Sequence, residues 1–289
     1  MPAPGTWVVD SELNGQPGRG FNLEVENEIL VFAYYGYRSD GSAVFYSAVG
    51  AISQNTFTAE LVEYKNGKSL GGINQSGSRQ GSPGNVTINF TSGLKATITL
   101  PGEAAKAISK LSFGYGNSPE ALLGTYLFAY ITPSPKTADI YTLTKLAGTS
   151  TSGGNGLVLD ANSVFSCENM VSGTLAGNIV CMEHTNSNAD DQYFFKMSGD
   201  RGSGVGKSIS GVNYSAIQVV RTATKSGQQT GVNDSTTSTV FSAADPSPKP
   251  YLAPDPLLLP SDQPSAEETV AMRVWVLQAR MALSGLGIR

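Results

Sequence analysis

Charged side chains, cysteine and histidine are all scarce in this sequence of 289 residues. Asp, Glu, Lys and Arg make up 15% of the chain and leave a net charge of −4, whereas charged residues average about 25% in globular proteins. Because nucleic-acid binding requires clustered Lys and Arg, the composition argues against a nucleic-acid partner. One histidine and two cysteines exclude a multi-histidine metal centre and a cysteine-rich zinc module. We therefore expect neither a metal nor any other cofactor.

Long apolar runs and an N-terminal export signal are also lacking. No stretch reaches the roughly 18–20 uninterrupted apolar residues of a membrane helix, so we expect no transmembrane span. The first residues show no positively charged segment followed by an apolar one. Such a start is typical of a mature protein from which an export signal has been removed and to which an initiator Met has been added. A protein that never carried a signal is the alternative.

The two cysteines lie in a segment, residues 164–181, that has the pattern of a β-hairpin. A turn centred on Thr174 places Cys167 directly opposite Cys181, and facing residues of an antiparallel pair approach closely enough for a disulfide. We therefore predict a Cys167–Cys181 bridge, which indicates an oxidising compartment, the periplasm or the extracellular space. Two buried free thiols are the alternative.

Alternating apolar and polar residues predict two successive β-rich blocks. Residues 21–26 have the period of two that is typical of a half-buried strand, and Asp40-Gly41 and Asn66-Gly67 are hairpin-turn signals. Short strands without helical periodicity favour antiparallel sandwiches or barrels. We place a first β-domain at 1–118 and a second, which contains the cysteine hairpin, at 119–235.

The last part of the chain has a different composition. Seven of the 15 prolines lie at 246–264, which predicts an extended Pro-rich linker at 236–264. Ser265 and Glu268 form a Ser-x-x-Glu capping box, which predicts a helix within 265–289. We expect this helix to dock on its own barrel or on a neighbouring subunit through an apolar stripe. The stripe consists of Val270, Val274, Leu277 and Met281, and it is broadened by Ala271, Trp275 and Ala282.

Two motifs that suggest catalysis or nucleotide binding have simpler explanations. The glycine-rich run 202–208 resembles a P-loop, but Arg201 stands where the first glycine is required and no helix follows, so a β-hairpin loop is favoured. His184 with Asp190 or Asp191 is the only basis for a catalytic triad or a calcium loop. Neither a nucleophile elbow nor an EF-hand accompanies them, so a histidine at a strand end is favoured.

Carboxylate pairs are a third candidate for chemistry. Glu24 and Glu26 share one strand face, and Glu60 lies on a nearby strand, so such pairs could serve glycoside hydrolysis. The chain has 23 acidic residues, however, and on mostly exposed strands they supply many accidental pairs. We therefore predict no catalytic residues, and a hydrolase based on carboxylates or on His184 is the third hypothesis for the function.

An aromatic cluster on three consecutive predicted strands is the most informative feature. Phe32 and Tyr34 share one face of their strand, whereas Tyr35 and Tyr37 take the other, so one pair belongs to the core and the other is open to a partner. Exposed aromatic faces suit sugar rings or protein contacts, and cross-strand stabilisation of the sheet is the alternative. The candidate contact residues for a ligand or partner are Trp7, Arg19, Tyr35, Tyr37, Tyr46 and Trp275.

Two motifs resemble the first strand of calycins, the lipocalins and avidin-like barrels. Gly5-Thr6-Trp7 opens the first block, and Gly124-Thr125-Tyr126 opens the second. In lipocalins an Arg near the last strand packs over the Trp. Arg221 stands at that place in the second block, with Tyr126 instead of the Trp, whereas the first block offers only lysines. The resemblance implies small up-and-down barrels, a Tyr126–Arg221 clamp and, as an alternative function, a carrier of a small apolar ligand.

A more local set of residues resembles a domain of exported proteobacterial proteins. It comprises Trp7, the turn Gly18-Arg19-Gly20-Phe21, and the aromatic strand 32–37 that closes on Asp40-Gly41. Residues 123–202 resemble the region that often follows this domain. The resemblance implies export and β structure and carries no catalytic residues. Since glycines on both sides of Arg19 permit positive φ, we expect Arg19 to stack on Trp7 or on the aromatic face.

These observations together predict an all-β protein with two small antiparallel β-barrels or sandwiches in tandem, a Pro-rich linker and one C-terminal α-helix. The predicted function is non-catalytic binding or assembly in the periplasm or at the surface of a bacterial cell. Residues 246–289 are the predicted contact with another copy of the chain or with another surface protein. A carbohydrate or a small apolar molecule is the predicted ligand if the partner is not a protein.

Overall fold

The structure, a computed structural model, describes residues 1–115, 118–131, 138–184, 191–207, 214–230 and 264–287. The chain divides into two compact units, Met1–Leu111 and Ser112–Arg289. Each unit contains a closed antiparallel barrel of eight strands, in which every strand pairs with the next and the last pairs with the first. The predicted fold class, two β-domains in tandem with one C-terminal helix, is confirmed. Most of the predicted linker lies outside the described residues.

The first barrel is an up-and-down meander. Its strands β1–β8 are Gly5–Val9, Gly20–Glu26, Ile29–Tyr37, Ala43–Ser53, Thr56–Lys65, Ser78–Phe90, Lys95–Thr99 and Lys106–Lys110. Two-residue turns with positive φ, Asn27-Glu28 and Gln54-Asn55, join β2 to β3 and β4 to β5, because this turn geometry matches the twist of antiparallel strands. Asn66-Gly67 does not form such a turn, since β6 begins only at Ser78.

Alternation along the strands fills the first barrel with side chains. All eight strands contribute inward-facing apolar residues, as expected where successive side chains point to opposite faces of a sheet. Phe21 and Phe32 stack at 5.5 Å between ring centroids near the middle of this core. The fully buried large side chains of the barrel are Trp7, Phe21, Leu23, Leu30, Phe32, Phe57, Val86 and Ile88.

The second barrel repeats the meander with shorter strands. A 3₁₀ turn, Pro119–Leu122, precedes it, and its strands β9–β16 are Gly124–Tyr130, Ala138–Leu146, Val158–Asp160, Phe165–Asn169, Ile179–Glu183, Gln192–Ser198, Arg201–Lys207 and Ser215–Thr224. Its core is aromatic, with Phe128 packed against Tyr193 at 4.5 Å and Tyr141 stacked on Phe165 at 3.6 Å between ring centroids.

The cysteine hairpin is formed by β12 and β13. Cys167 faces Cys181 in the register of these strands, and the two sulfurs are bonded. Both side chains are buried in the core of the second barrel. The predicted disulfide is therefore confirmed, and its position follows from the turn at 170–178, in which Gly173 and Gly177 adopt positive φ.

The C-terminal helix α1 spans Ala266–Gly285 and begins at the predicted capping box. The Glu268 backbone N–H donates to Ser265 Oγ at 3.1 Å, and the Ser265 N–H donates to Glu268 Oε2 at 2.9 Å. No helix in the described part of the chain is long and apolar enough to cross a membrane.

Helix α1 packs on the outer surface of the second barrel through a face that includes Trp275, one of the predicted flanking residues, but not the predicted stripe itself. The buried residues of the helix are Met272, Trp275, Val276, Ala279 and Leu283, and they contact outward-facing barrel residues that include Leu159, Val180, Met182, Phe194 and Val205. As the contact of the helix with its own barrel the predicted stripe is wrong, because Val270, Val274, Leu277 and Met281 are all exposed. The helix is apolar on two sides, and the barrel covers only one of them.

Candidate functional site

An uncharged apolar surface covers the outward side of two neighbouring strands of the first barrel. Five facing pairs form it, and they are Ile29–Ala51, Val31–Val49, Ala33–Ser47, Tyr35–Phe45 and Tyr37–Ala43. We call these ten residues the β3–β4 face. The rings of Tyr35 and Phe45 lie 5.5 Å apart between centroids. Only one serine hydroxyl and two phenol hydroxyls offer side-chain hydrogen bonds across the whole surface.

The β3–β4 face is open to solvent. Its six large side chains are between 44% and 61% exposed, with Val49 the most exposed of them. Contiguous exposed apolar surface of this kind, rimmed by polar residues, marks interaction sites in soluble proteins. The rim is acidic, since the exposed residues Glu24 and Glu26 flank the face on β2 and Glu60 flanks it on β5. Glu60 forms an exposed ion pair with Arg79 at 2.6 Å.

Four of the predicted aromatic positions lie where the alternation places them, and a fifth, Tyr46, does not contribute to the face. Tyr35 and Tyr37 belong to the β3–β4 face, whereas Phe32 and Tyr34 point into the core. Tyr46 is half-buried, packs against the core and lies 5.7 Å from the Tyr34 ring centroid, so it is not part of the exposed surface.

Sequence reasoning missed the aliphatic part of the β3–β4 face. Ile29, Val31 and Val49 are exposed beside the aromatic residues. The sequence contained a signal for these exposed aliphatic residues, because residues 29–37 are apolar at successive positions. A strand of this kind that buries one face must expose apolar side chains on the other.

Trp7 is a core residue rather than a contact residue. Its side chain is fully buried, its Nε1 donates to the Ala3 carbonyl at 3.0 Å, and its ring meets Phe90 edge-on at 6.0 Å. A buried indole of this kind stabilises the barrel and is not accessible to a ligand.

Arg19 forms ion pairs instead of the predicted stacking contact. Its guanidinium donates to both carboxylate oxygens of Glu12 at 2.8 Å and to Glu103 Oε2 at 2.7 Å. Lys106 Nζ joins the cluster at 2.7 Å from Glu12. The hydrogen bonds from Arg19 lower the pKa of Glu12 from its ordinary value near 4.5 to about 2. Arg19 therefore ties the β1–β2 loop to the β7–β8 loop.

Tyr126 and Arg221 face each other on β9 and β16. The Arg221 guanidinium carbon lies 5.9 Å from the ring centroids of both Tyr126 and Tyr115, and its Nη2 donates to the Leu123 carbonyl at 2.7 Å. Gly124 has a φ of +146°, and a Cβ at this position would lie 2.4 Å from the Ala223 carbonyl oxygen. The Gly-x-Tyr motif therefore requires glycine at its first position for a steric reason. Its tyrosine, with Arg221, closes one end of the second barrel.

Among the described residues, His184 forms no accessible catalytic triad. His184 Nε2 lies 2.9 Å from Ser166 Oγ, but Ser166 is completely buried and cannot be reached by a substrate. Asp191 is also buried, and Asp190 lies outside the described residues. No group of His, Cys, Asp and Glu among the described residues could hold a metal ion.

The glycine-rich run lies in a strand. Residues 202–207 belong to β15, where a Cβ on Gly204 would lie 2.1 Å from the Phe194 carbonyl oxygen. These glycines permit close packing of β15 on β14. Ser208 lies outside the described residues.

Side chains also occupy the interior of the second barrel. Tyr193 Oη donates to Asp139 Oδ2 at 2.8 Å, and Tyr141 Oη donates to Glu183 Oε2 at 3.2 Å. Burial raises the pKa of the Tyr193 phenol well above its usual range. With aromatic rings packed inside this barrel and apolar residues inside the first, no observation favours a carrier of a small apolar ligand.

A second exposed apolar surface lies on helix α1. We call Val270, Val274, Leu277 and Met281 the α1 stripe. These side chains are 46–75% exposed, and the exposed residue Arg273 lies beside them. Trp275, by contrast, is 2% exposed and donates from Nε1 to Glu168 Oε2 at 2.9 Å, so it holds the helix on the barrel and contacts no external partner.

Comparison with family models, with curated proteins and with solved structures finds no match for this chain. The resemblances to calycins and to exported proteobacterial proteins therefore stay predictions.

Proposed function

We propose that this protein is a non-catalytic, exported assembly protein whose copies associate through the β3–β4 face of the first barrel. The Cys167–Cys181 bridge supports export to the periplasm or the cell surface, because disulfides persist in oxidising compartments.

The size of the β3–β4 face is the observation that carries this proposal. Six large side chains, each about half exposed, present on the order of 600 Å² of apolar surface. Stable protein interfaces bury about 800 Å² per partner. A second protein molecule that covered this face would therefore bury an area close to that of a specific interface.

The chemistry of the face favours a protein partner over a carbohydrate. Sugar rings stack on aromatic residues, but their hydroxyl groups also require hydrogen-bonding side chains nearby. The face offers Ser47 and the hydroxyls of Tyr35 and Tyr37 among ten residues, and its remaining members are aliphatic or phenyl groups. An apolar surface of this composition is complementary to another apolar protein surface.

The test is a charge placed at the most exposed apolar position of the face, Val49. Val49→Glu would bury a carboxylate in the interface and would dissociate the oligomer, while the folded barrel would be unaffected because Val49 is 61% exposed. Ile140→Glu is the matched control, since Ile140 is an apolar residue of similar exposure, 68%, on β10 of the second barrel and belongs to neither apolar surface.

Sedimentation velocity over a concentration series is the measurement. We expect wild type and Ile140→Glu to assemble with increasing concentration and Val49→Glu to stay monomeric. A wild-type chain that is monomeric at every accessible concentration, or a Val49→Glu chain that assembles as wild type does, would refute the proposal.

A further inference from the structure

The α1 stripe has the form of a docking surface in its own right. Its four residues are spaced by four, three and four positions, so they lie in one row along the helix. The row is about 16 Å long, at roughly 1.5 Å per residue. Strand β3 of the β3–β4 face spans nine residues, about 26 Å at roughly 3.3 Å per residue. The face is therefore long enough to seat the whole stripe.

The second barrel shows what covers an outward apolar surface in this protein. Outward-facing residues such as Val180, Met182 and Phe194 are buried by the docked side of helix α1. The outward apolar residues of the first barrel have no such cover among the described residues. The same chain thus offers one uncovered barrel face and one uncovered helix face, and it already contains the packing of a helix on a barrel.

Beside the α1 stripe, the exposed Arg273 lies on one side and the exposed Glu267 on the other, whereas the β2 rim of the face is acidic. Arg273 is exposed beside Val274 on the helix, whereas Glu24 and Glu26 are exposed on the rim of the β3–β4 face. Packing the face of one copy on the face of another would bring acidic rims together, and like charges oppose association. Packing the α1 stripe on the face with the Arg273 side of the helix toward β2 brings a cation to Glu24 and Glu26 instead.

We infer that the α1 stripe of one copy docks on the β3–β4 face of a second copy, so that the chains associate head to tail. This inference rests on the proposed function, because it names the surface that occupies the same face. A head-to-tail contact leaves one free face and one free stripe at the ends, so it continues into a ring or a filament.

The expected strength follows from the buried area. The stripe adds on the order of 400 Å² to the roughly 600 Å² of the face, which gives about 1,000 Å² and reaches the lower limit for a specific interface. We therefore expect reversible assembly that depends on concentration.

Two blocked variants test the inference when they are mixed. Val49→Glu blocks the face and keeps the stripe, whereas Leu277→Glu blocks the stripe and keeps the face. Each alone would be monomeric, and an equimolar mixture would form a dimer of one chain of each kind. Leu277 is 61% exposed, so its substitution leaves the docked side of the helix intact, and Met281→Glu serves as a second stripe variant.

The outcomes separate this inference from the proposed function. A heterodimer in the mixture, with both variants melting within a few degrees of wild type, supports the inference. Folded variants that stay monomeric when mixed overturn it. If Val49→Glu is monomeric but Leu277→Glu and Met281→Glu assemble as wild type does, the inference fails and the proposed function stands. A monomeric wild type overturns both.

The charges give an independent measurement. Arg273→Glu would weaken wild-type assembly several-fold, and Glu26→Lys in the same chain would restore it in part, since the reversed pair attracts again. No effect of Arg273→Glu, or no rescue by Glu26→Lys, contradicts the proposed orientation of the helix on the face.

Discussion

Removal of one hydrogen bond from Trp275 tests how helix α1 is held on the second barrel. Glu168 is a fully buried carboxylate on the outer side of β12. It accepts hydrogen bonds from Trp275 Nε1 at 2.9 Å, Thr151 Oγ1 at 2.6 Å and the Gly156 N–H at 3.0 Å. A Cβ on Gly154 would lie 2.0 Å from the Glu168 carboxyl carbon, so the surrounding loop closes tightly on this group.

Trp275→Phe keeps an aromatic ring at this position and removes the indole donor together with part of the ring system. A hydrogen bond to a charged group contributes about 1.5–3 kcal/mol, and the loss leaves a buried carboxylate with fewer donors. We therefore expect the free energy of unfolding of the second unit to fall by about 2 kcal/mol. Trp275→Ala would also leave a cavity and would cost about 3–5 kcal/mol.

Denaturant unfolding with hydrogen exchange of the helix amides is the assay. Trp275→Phe would lower the unfolding midpoint and speed exchange in α1, because the helix leaves the barrel more often. Ser284→Ala is the control, since Ser284 is exposed on the same helix and belongs neither to its docked side nor to the α1 stripe. If Trp275→Phe unfolds and exchanges as wild type does, the Glu168–Trp275 hydrogen bond does not hold the helix.

Two further predictions concern the ion cluster and the disulfide. Because the folded-state pKa of Glu12 is lowered to about 2, its contribution to stability is present above pH of about 4.5 and is lost as the pH falls toward 2. Arg19→Gln would flatten the dependence of the unfolding free energy on pH in this window. The effect is about 1 kcal/mol or less, because the Arg19–Glu12 pair is partly exposed. An unchanged dependence of the unfolding free energy on pH would contradict this prediction. The Cys167–Cys181 bridge spans a sequence separation of 14, so the Cys167→Ala, Cys181→Ala double variant would lose about 3 kcal/mol in denaturant unfolding. Wild type can also be unfolded with and without reductant, once its two thiols are shown to be free in the reduced sample. Equal denaturant midpoints for the two samples would refute the expected loss of about 3 kcal/mol.

Local patterns in the sequence were sufficient for most of the elements and for the disulfide, although β15, Arg201–Lys207, lies where a hairpin loop was predicted. Alternation of apolar and polar residues predicted the strands, and the symmetry of the hairpin predicted that Cys167 faces Cys181. Ser265 and Glu268 predicted the start of the helix. Each of these features depends on residues that are close together in the chain, because strand alternation, hairpin register and helix capping are local geometry.

Turn signals in the sequence predicted the positions of tight turns less well than alternation predicted strands and the capping box predicted the start of the helix. Asp40-Gly41 lies in the β3–β4 turn, where Gly41 has a φ of +82°, but Asn66-Gly67 begins a longer loop. Meanwhile Asn27-Glu28 and Gln54-Asn55 form tight turns without any glycine. Strand pairing across the barrel fixes where a turn must occur, and the pairing overrides the local preference of the residues.

The sequence by itself determined that helix α1 is apolar, that it is capped, and that residues 29–37 are apolar on both sides of a strand. Only the tertiary structure decided which sides are covered. Burial of Trp275 against Glu168 selects one face of the helix and leaves the α1 stripe exposed. Closure of the first barrel likewise selects Phe32 and Tyr34 for the core and leaves Tyr35 and Tyr37 outside. Periodicity shows that a segment has apolar faces, but the partner that covers each face is set by residues distant in the chain.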